Sequence, residues 1–364
     1  MKVLEIISSL DPTGGAETFA VNLSRELNDI SHLKVVILYS KHKGYFEQKL
    51  KEKNIDYLFM NKTKHFDLKN AKELRKIIND FKPDVIHTEN NALIPTYLAL
   101  RMIKKSQRPN VFHTMHLKPE EETSNKIIKV LFKHILKKPN FIPVAISKTL
   151  SAESQSYYKV KNVPFIDNGV ALEPFRTTNK LSSRKYDIVV VGRFVMLKNH
   201  HFLVSSFIEL KKKYPSLNVA LVGNGELFDG VKAFVKDNNA QDYIHFLGLL
   251  DNPASIVNDS KIIALGSLSE ANPLSLLEGM SAGCIVVSSS VGGVPDIVKE
   301  GENGFLFPSG DKEKFVEILH RILSNIEAYQ NMSEINVDYS NKFSMKECAR
   351  KYYNLFENYR ISKK

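Results

Sequence analysis

Apolar, β-branched runs alternate along this chain with segments in which apolar residues recur every three or four positions. In the first half the runs are VLEII, KVVILY, DVIH, NVFHTMH and FIPVAI; in the second they are DIVVVG, NVALVG, YIHFLG, KIIALG and CIVVSS. Between them lie helical patterns such as ETFAVNLSRELNDI and NHHFLVSSFIELKKKY. Alternation of this kind predicts βαβ units and a parallel sheet. The near-continuous apolarity of the strands predicts sheets covered on both faces. After FIDNGVALEPF the pattern lapses into the polar TTNKLSSRKY, then starts afresh at DIVVVG. The chain therefore reads as an α/β protein of two doubly wound, Rossmann-like domains facing across a cleft, with the linker at 170–185. The expected divisions are 1–170, 171–344 and a last amphipathic helix within 345–364 that returns to the first domain. In such sheets ligands bind beyond the carboxyl ends of the strands.

A length of 364 residues agrees with two domains at about 100–200 residues each. Apolar residues at 43% and charged residues at 25% suffice for a full core and exclude a disordered chain. The net charge of +11 points to an anionic partner: nucleotide phosphates, a membrane surface or nucleic acid. The aromatics are not interleaved with the basic clusters, which argues against nucleic acid. Cys284 and Cys348 stand in no CxxC or Cys/His spacing. That argues against a zinc site and a disulfide framework, and fits a reducing cytoplasm. Glu5 interrupts MKVLEIISSL, which reads as a first strand rather than a signal peptide. No run approaches the ~18–20 apolar residues of a spanning helix. The expected location is cytoplasmic, with any membrane contact peripheral and on the inner face of the cell membrane.

Four stretches carry candidate chemistry. In SSLDPTGGAETFAVNL, Gly14 and Gly15 sit where a strand turns into a helix. Glycine lets a ligand approach the backbone, and a helix start offers N–H groups to an anion; a bare tight turn would look the same. In VGRFVMLKNHHFL, Arg193 and Lys198 follow a strand end, where two cations can neutralise a diphosphate. In NVFHTMH, His113 and His116 lie three apart; on a strand that spacing faces them oppositely and argues against a shared metal. In SEANPLSLLEGMSAGCIVVSS, Pro273 suits a helix start, which leaves Glu270 in the preceding loop and Glu278 inside the helix. A phosphate at that N-terminus would have a carboxylate on either side, each able to receive sugar hydroxyls. A dinucleotide fingerprint fits poorly, since GNGELF has Phe228 where the third glycine belongs and lies on the second strand of its domain; the P-loop pattern is absent.

With these stretches in view, Glu270-x7-Glu278 resembles the E-x7-E motif of retaining GT-B glycosyltransferases, in particular the large family 4. GGAET, the VAIS strand end with Ser147, FIDNGV, VGRFVMLKNHHFLV, LVGNGE, IHFLG, VGGVPDIVKEGENGFLF and the final helix fall in that family's order. The resemblance covers essentially the whole chain. It implies a nucleotide-sugar held mainly by the second domain and an acceptor held by the first. Arg193 and Lys198 match the basic pair that stabilises the leaving diphosphate, Glu278 the ribose ligand, and Glu270 the contact to the donor sugar. The turn Asn272-Pro273-Leu274 would bring backbone N–H groups near sugar and phosphates. Gly15, next to Gly14, matches a glycine near the diphosphate. His116, rather than His113, matches a strand-end histidine near the reacting carbon. The loops at Gly223 and Leu247 would meet the base. No metal and no other cofactor is implied, because cations and helix N-termini take the electrostatic role. Many members have glycine after the first glutamate; here it is Ala271, which could narrow the sugar pocket.

The function so implied is transfer of a hexose, with retention, from a nucleoside-diphosphate sugar (UDP-sugars favoured) to a saccharide or lipid-linked acceptor in bacterial surface polysaccharide synthesis. The competing readings are a nucleotide-sugar epimerase on the same fold and a non-catalytic module that binds a glycan or a partner transferase. The segment 124–140, SNKIIKVLFKHILKKPN, reads as a basic amphipathic helix with Ile127, Ile128, Leu131, Phe132 and Ile135 on one face. Such a helix can rest on anionic lipid or pack on the sheet.

Overall fold

Among the described residues the ten apolar runs become ten of twelve parallel strands in two sheets. The computed structural model describes residues 1–10, 15–39, 45–60, 68–121, 125–250 and 252–361. Contacts divide the chain into two units, Met1–Gly169 with Met345–Lys364, and Val170–Ser344. The first holds β1 (Lys2–Ser9), β2 (His32–Tyr39), β3 (Asp56–Phe59), β4 (Val85–Glu89), β5 (Asn110–Met115) and β6 (Phe141–Ala145). The second holds β7 (Tyr186–Val191), β8 (Val219–Val222), β9 (Ile244–Gly248), β10 (Ser260–Leu265), β11 (Ile285–Ser289) and β12 (Gly304–Phe307). The orders are β3-β2-β1-β4-β5-β6 and β12-β11-β10-β7-β8-β9. Numbered within its own unit, each sheet runs 3-2-1-4-5-6, the doubly wound order.

Two strands have no counterpart among the runs. β3 and β12 are four-residue edge strands. β3 shows no fully buried residue, and β12 opens on glycine, so neither carries the apolar signal of a central strand.

Helices cover both sheets because their apolar stripes recur at helical spacing. The helix Gly15–Ile30 buries Phe19, Ala20, Leu23 and Leu27. The last helix, Met345–Ile361, belongs to the first unit. Its Tyr352 and Phe356 are fully buried, Phe356 packs 4.7 Å from Phe112, and Asn110 Nδ2 donates to the Tyr359 carbonyl. Each such aromatic contributes about 1.5–3 kcal/mol by burial.

The expected linker is part of the second unit. Leu181 lies fully inside its core. The Arg184 guanidinium is buried and donates to the carbonyls of Ser260 (2.8 Å), Ala282 (2.7 Å) and Asn179 (3.2 Å). The basic helix spans Lys126–Leu136, capped by Asn125; Ser124 lies outside the described residues. It buries Phe132 and Ile135 of the face read as lipid-seeking, with Leu136 beside them, half-buries Ile128 and Leu131, and leaves Ile127 (75% exposed) and the neighbouring Val130 (68%) outward. Among the described residues no helix is long and apolar enough to cross a membrane.

Candidate active site

In a doubly wound sheet the chain reverses its direction of growth between the first and fourth strands, and loops there diverge to leave room for a ligand. In the second unit those strands are β7 and β10. Lys198 ends the short turn Met196–Lys198 that follows β7. Glu270 lies in the loop between β10 and the helix Leu274–Ser281. Lys198 Nζ donates to Glu270 Oε1 at 2.5 Å and Ser267 Oγ donates to the same oxygen at 2.6 Å. The two loops are also tied through their backbones, Leu268 N–H to the Leu197 carbonyl at 2.8 Å.

Glu270 is pinned from a third side. Gly293 N–H donates to its carbonyl at 2.9 Å. Gly292, at φ +52°, lies so close that a Cβ there would come within 1.8 Å of that carbonyl oxygen. Only a residue without a side chain fits both the left-handed backbone and the contact. Ser289 Oγ in turn donates to the Ser267 carbonyl. The serine and the glycine pair complete the site without having been singled out by the sequence; VGGVP gave the one available signal.

The other expected residues of this unit fall around the same loops. Pro273 is the N-cap of the helix Leu274–Ser281. The first N–H groups of that helix, from Leu274 and Ser275, precede any intrahelical acceptor and can meet an anion. Asn272 is buried and Glu278 half-buried, with Glu278 just over one turn in. Arg193 follows β7 with an exposed side chain. Gly223, at φ +136°, follows β8, where a Cβ would collide with the Gly192 carbonyl at 1.9 Å; it allows the two strand ends to meet. Leu247 is half-buried in β9. His200, next to Lys198, is buried and stacked on Phe194 at 3.9 Å. Burial first, then the Lys198 charge, lower its imidazole to about 4 and keep it neutral.

In the first unit Gly14 lies outside the described residues, and Gly15 is the exposed first residue of the helix Gly15–Ile30. The two histidines part company. His113 on β5 is fully buried, bonded to Thr88 Oγ1 at 3.0 Å, and lowered to about 3 by burial, then by His87 and His116. His116, just past β5, is only part-buried and its Nε2 lies 2.5 Å from Glu89 Oε2. Behind that pair is a buried polar chain absent from the sequence expectations. Glu5 on β1 meets His87 Nδ1 at 2.7 Å, His87 Nε2 meets Thr114 Oγ1 at 2.7 Å, and Thr114 meets the Tyr352 hydroxyl at 2.9 Å. Among the described residues, Glu5, His87 and Glu89 form one group close enough to hold a metal ion, with ligand atoms within 4.8 Å of one another. Both nitrogens of His87 are already engaged by Glu5 and Thr114, which leaves the imidazole no lone pair for a metal.

Comparison with known proteins agrees with this fold. The family model for glycosyltransferase family 4 matches residues 13–174, and that for glycosyl transferases group 1 matches residues 173–337. An uncharacterized glycosyltransferase of Haemophilus influenzae is 25% identical over 338 residues, 92% of this chain and 93% of its own. The UDP-Gal:alpha-D-GlcNAc-diphosphoundecaprenol alpha-1,3-galactosyltransferase of Escherichia coli is 26% identical over 70% of each chain. The crystal structure of Anabaena HepE in complex with UDP and glucose superposes with a TM-score of 0.84 at 17% identity, over 98% of this chain and all of that one. With its two halves matched in order and its two sheets in this arrangement, the chain belongs to the family 4 glycosyltransferases of the GT-B fold.

Proposed function

We propose that the chain moves a hexose from a nucleoside-diphosphate sugar, with UDP-sugars favoured, to a saccharide or lipid-linked acceptor in bacterial surface polysaccharide synthesis, with retention and without a metal ion. The observation that carries this reading is the Lys198–Glu270 contact at the switch point of the second sheet, at the entrance to the helix that bears Glu278. Lys198 and Arg193 counter the diphosphate, Glu278 receives the ribose, and Glu270 receives a hydroxyl of the donor sugar. The Asn272–Leu274 turn adds N–H groups where a metal would otherwise supply positive charge. As the diphosphate leaves, the acceptor hydroxyl arrives on the same face of an oxocarbenium-like sugar, and His116 takes part in that step. Glu270 Oε1 is held by an ammonium and a hydroxyl, which suits a sugar-binding carboxylate better than a covalent nucleophile.

The UDP preference draws on HepE, solved with UDP, and on the Escherichia coli relative, whose name specifies UDP-Gal and a diphosphoundecaprenol-linked acceptor. An epimerase or a non-catalytic module has no support in the relatives, which are named as transferases. A peripheral place on the inner face of the cell membrane rests on Ile127 and Val130, the exposed apolar residues of the basic helix; sedimentation with anionic vesicles tests it.

The deciding experiment is thermal unfolding with UDP, GDP, ADP and NAD, each with and without EDTA. A ligand at 100 times its dissociation constant adds about 2.7 kcal/mol to the folded state. A shift with UDP that EDTA leaves unchanged is expected. A shift with NAD alone, or with none of the four, would overturn the donor assignment.

A further inference from the structure

Glu89 has no part in the reading above, yet it is the last residue of β4 and fully buried. Its neighbours are unusual for a sheet interior. Glu5 faces it from β1, His87 from its own strand, Thr114 from β5, His116 from just beyond β5, Glu17 from the helix Gly15–Ile30, and Tyr352 and Cys348 from the last helix. Burying such groups costs several kcal/mol per charge unless partners compensate. Here compensation is incomplete, because Glu5 Oε1 and Glu89 Oε1 accept no hydrogen bond, a cost of about 1–3 kcal/mol each.

The fold does not require them. Glu5 pairs in register with His87, and Ile7 with Glu89. At the matching strands of the second sheet the partners are Ile188 with Ile262 and Val189 with Ile263. At these positions the switch strands of the second sheet are plain apolar, and their charged pair, Lys261 with Asp187, lies at the amino-terminal ends of the strands, so the strand order alone does not explain the network of the first sheet.

We propose that Glu89 is a positioning residue for the transfer step: it fixes the ring of His116 through a short hydrogen bond, while Glu5, His87, Thr114 and Tyr352 form the buried support behind it. The proposal rests on the reading of His116 as a participant in transfer. Burial, opposed by His87 and reinforced by Glu5 and Glu17, holds the Glu89 carboxyl well above the usual range, so a proton is available to the Glu89–His116 contact. The support reaches the last helix through the Thr114–Tyr352 bond, which makes that helix part of the machinery as well as a lid on the core.

The test uses the whole protein and two readouts. Ring-nitrogen NMR of histidine-labelled protein, with His116 assigned through His116→Gln, reports tautomer and hydrogen bonding without any turnover. Steady-state kinetics with a UDP-sugar reports kcat and donor KM. Glu89→Gln keeps the shape but cannot share the proton in the same way. It is expected to move the His116 ring signals and to lower kcat roughly 10- to 100-fold, with UDP affinity within twofold of the wild type because the nucleotide is assigned to the other unit. Tyr352→Phe, at the far end of the chain, gives a milder probe should Glu89→Gln fold poorly; it is expected to shift the same signals and lower kcat about 2- to 5-fold. Unmoved ring signals with kcat within twofold in both variants would overturn the proposal, as would a kcat loss matched by an equal loss of UDP affinity. If the wild type turns over no nucleotide-sugar, the functional reading fails by itself, and the ring signals still decide whether Glu89 fixes His116.

Discussion

The two sheets share a strand order but treat their switch points differently. In the first, charge lies inside the strands: Glu5, His87 and Glu89 are all fully buried. In the second, the carboxyl-terminal halves of the switch strands are apolar and charge sits in the loops beyond them, with Lys198 24% exposed and Glu270 8%. A charge inside a strand is held by fixed partners and cannot change them without unfolding. A loop charge can exchange one partner for another, as the proposed donor binding requires of Lys198. On the proposed roles, the same topology gives a rigid orienting site in one unit and an adaptable anion site in the other.

The largest expected effect lies on the adaptable side. Lys198→Ala removes the cation proposed to counter the leaving diphosphate and should cut kcat by about 10²- to 10³-fold, measured with saturating UDP-sugar. Glu270→Ala should likewise act mainly on turnover. A loss for Lys198→Ala smaller than that for Glu89→Gln would reverse the assignment of roles to the two switch points.

Gly292→Ala sharpens the contrast without touching a charge. Its Cβ has no room beside the Glu270 carbonyl, so the loop must shift and Glu270 with it; about 10- to 100-fold in kcat is expected from the misplacement. Gly301→Ala is the control, since it shares a left-handed φ of +74° but has open space around it. It should lower stability by about 1 kcal/mol and leave kcat alone. Similar kinetics for the two variants would mean that the Glu270 loop is not held as described.

Glu278→Ala comes next. Loss of a charge-assisted hydrogen bond to a ribose should weaken UDP binding about tenfold, read by calorimetry, with kcat little changed once donor is saturating. Negligible effects of both Glu270→Ala and Glu278→Ala would sink the donor-site assignment.

What the sequence disclosed follows the same divide. Loop residues that act through local spacing were readable: Glu270 and Glu278 flank one helix start, and Arg193 and Lys198 follow one strand. The buried network was not, because its members meet through parallel register. Glu5 and His87 are neighbours 82 positions apart, and Thr114 meets Tyr352 across 238. Each alone is a polar letter in an apolar run. Glu5 was noticed as an interruption of MKVLEIISSL, a clue that argued against a signal peptide and carried a second meaning. Arg184 misled in the opposite direction: it made TTNKLSSRKY look solvated, whereas its donors satisfy buried carbonyls. His113 and His116 were separable by sequence only through the resemblance; burial supplies the physical reason, since it leaves His113 neutral in the core.

The last expected effect is on stability against pH, and it separates the two sheets by sign. In the second, His200 is lowered from the ordinary 6.5 to about 4, by burial and then by Lys198. Between those values the unfolded chain binds a proton that the folded chain does not. That stability is complete above the unfolded value and is lost as pH falls, by up to about 1.4 kcal/mol per pH unit. His113 acts in the same direction in the first sheet, being lowered to about 3. There, however, two groups oppose it. Burial pushes His87 down, but Glu5 and then Glu89 more than reverse this and raise it; Glu89 is raised by burial. Both hold a proton in the folded state at pH values where the unfolded chain has released it, so their contributions are lost as pH rises and recovered as it falls. On going from pH 7 to pH 5, hydrogen-exchange protection corrected for intrinsic rates should drop in β7 and the helix His200–Lys213, and change less in β4 and β5. Equal losses in both sheets would show that His87 and Glu89 do not hold their protons in the fold, and the distinction between a fixed and an adaptable switch point would then lose its electrostatic basis.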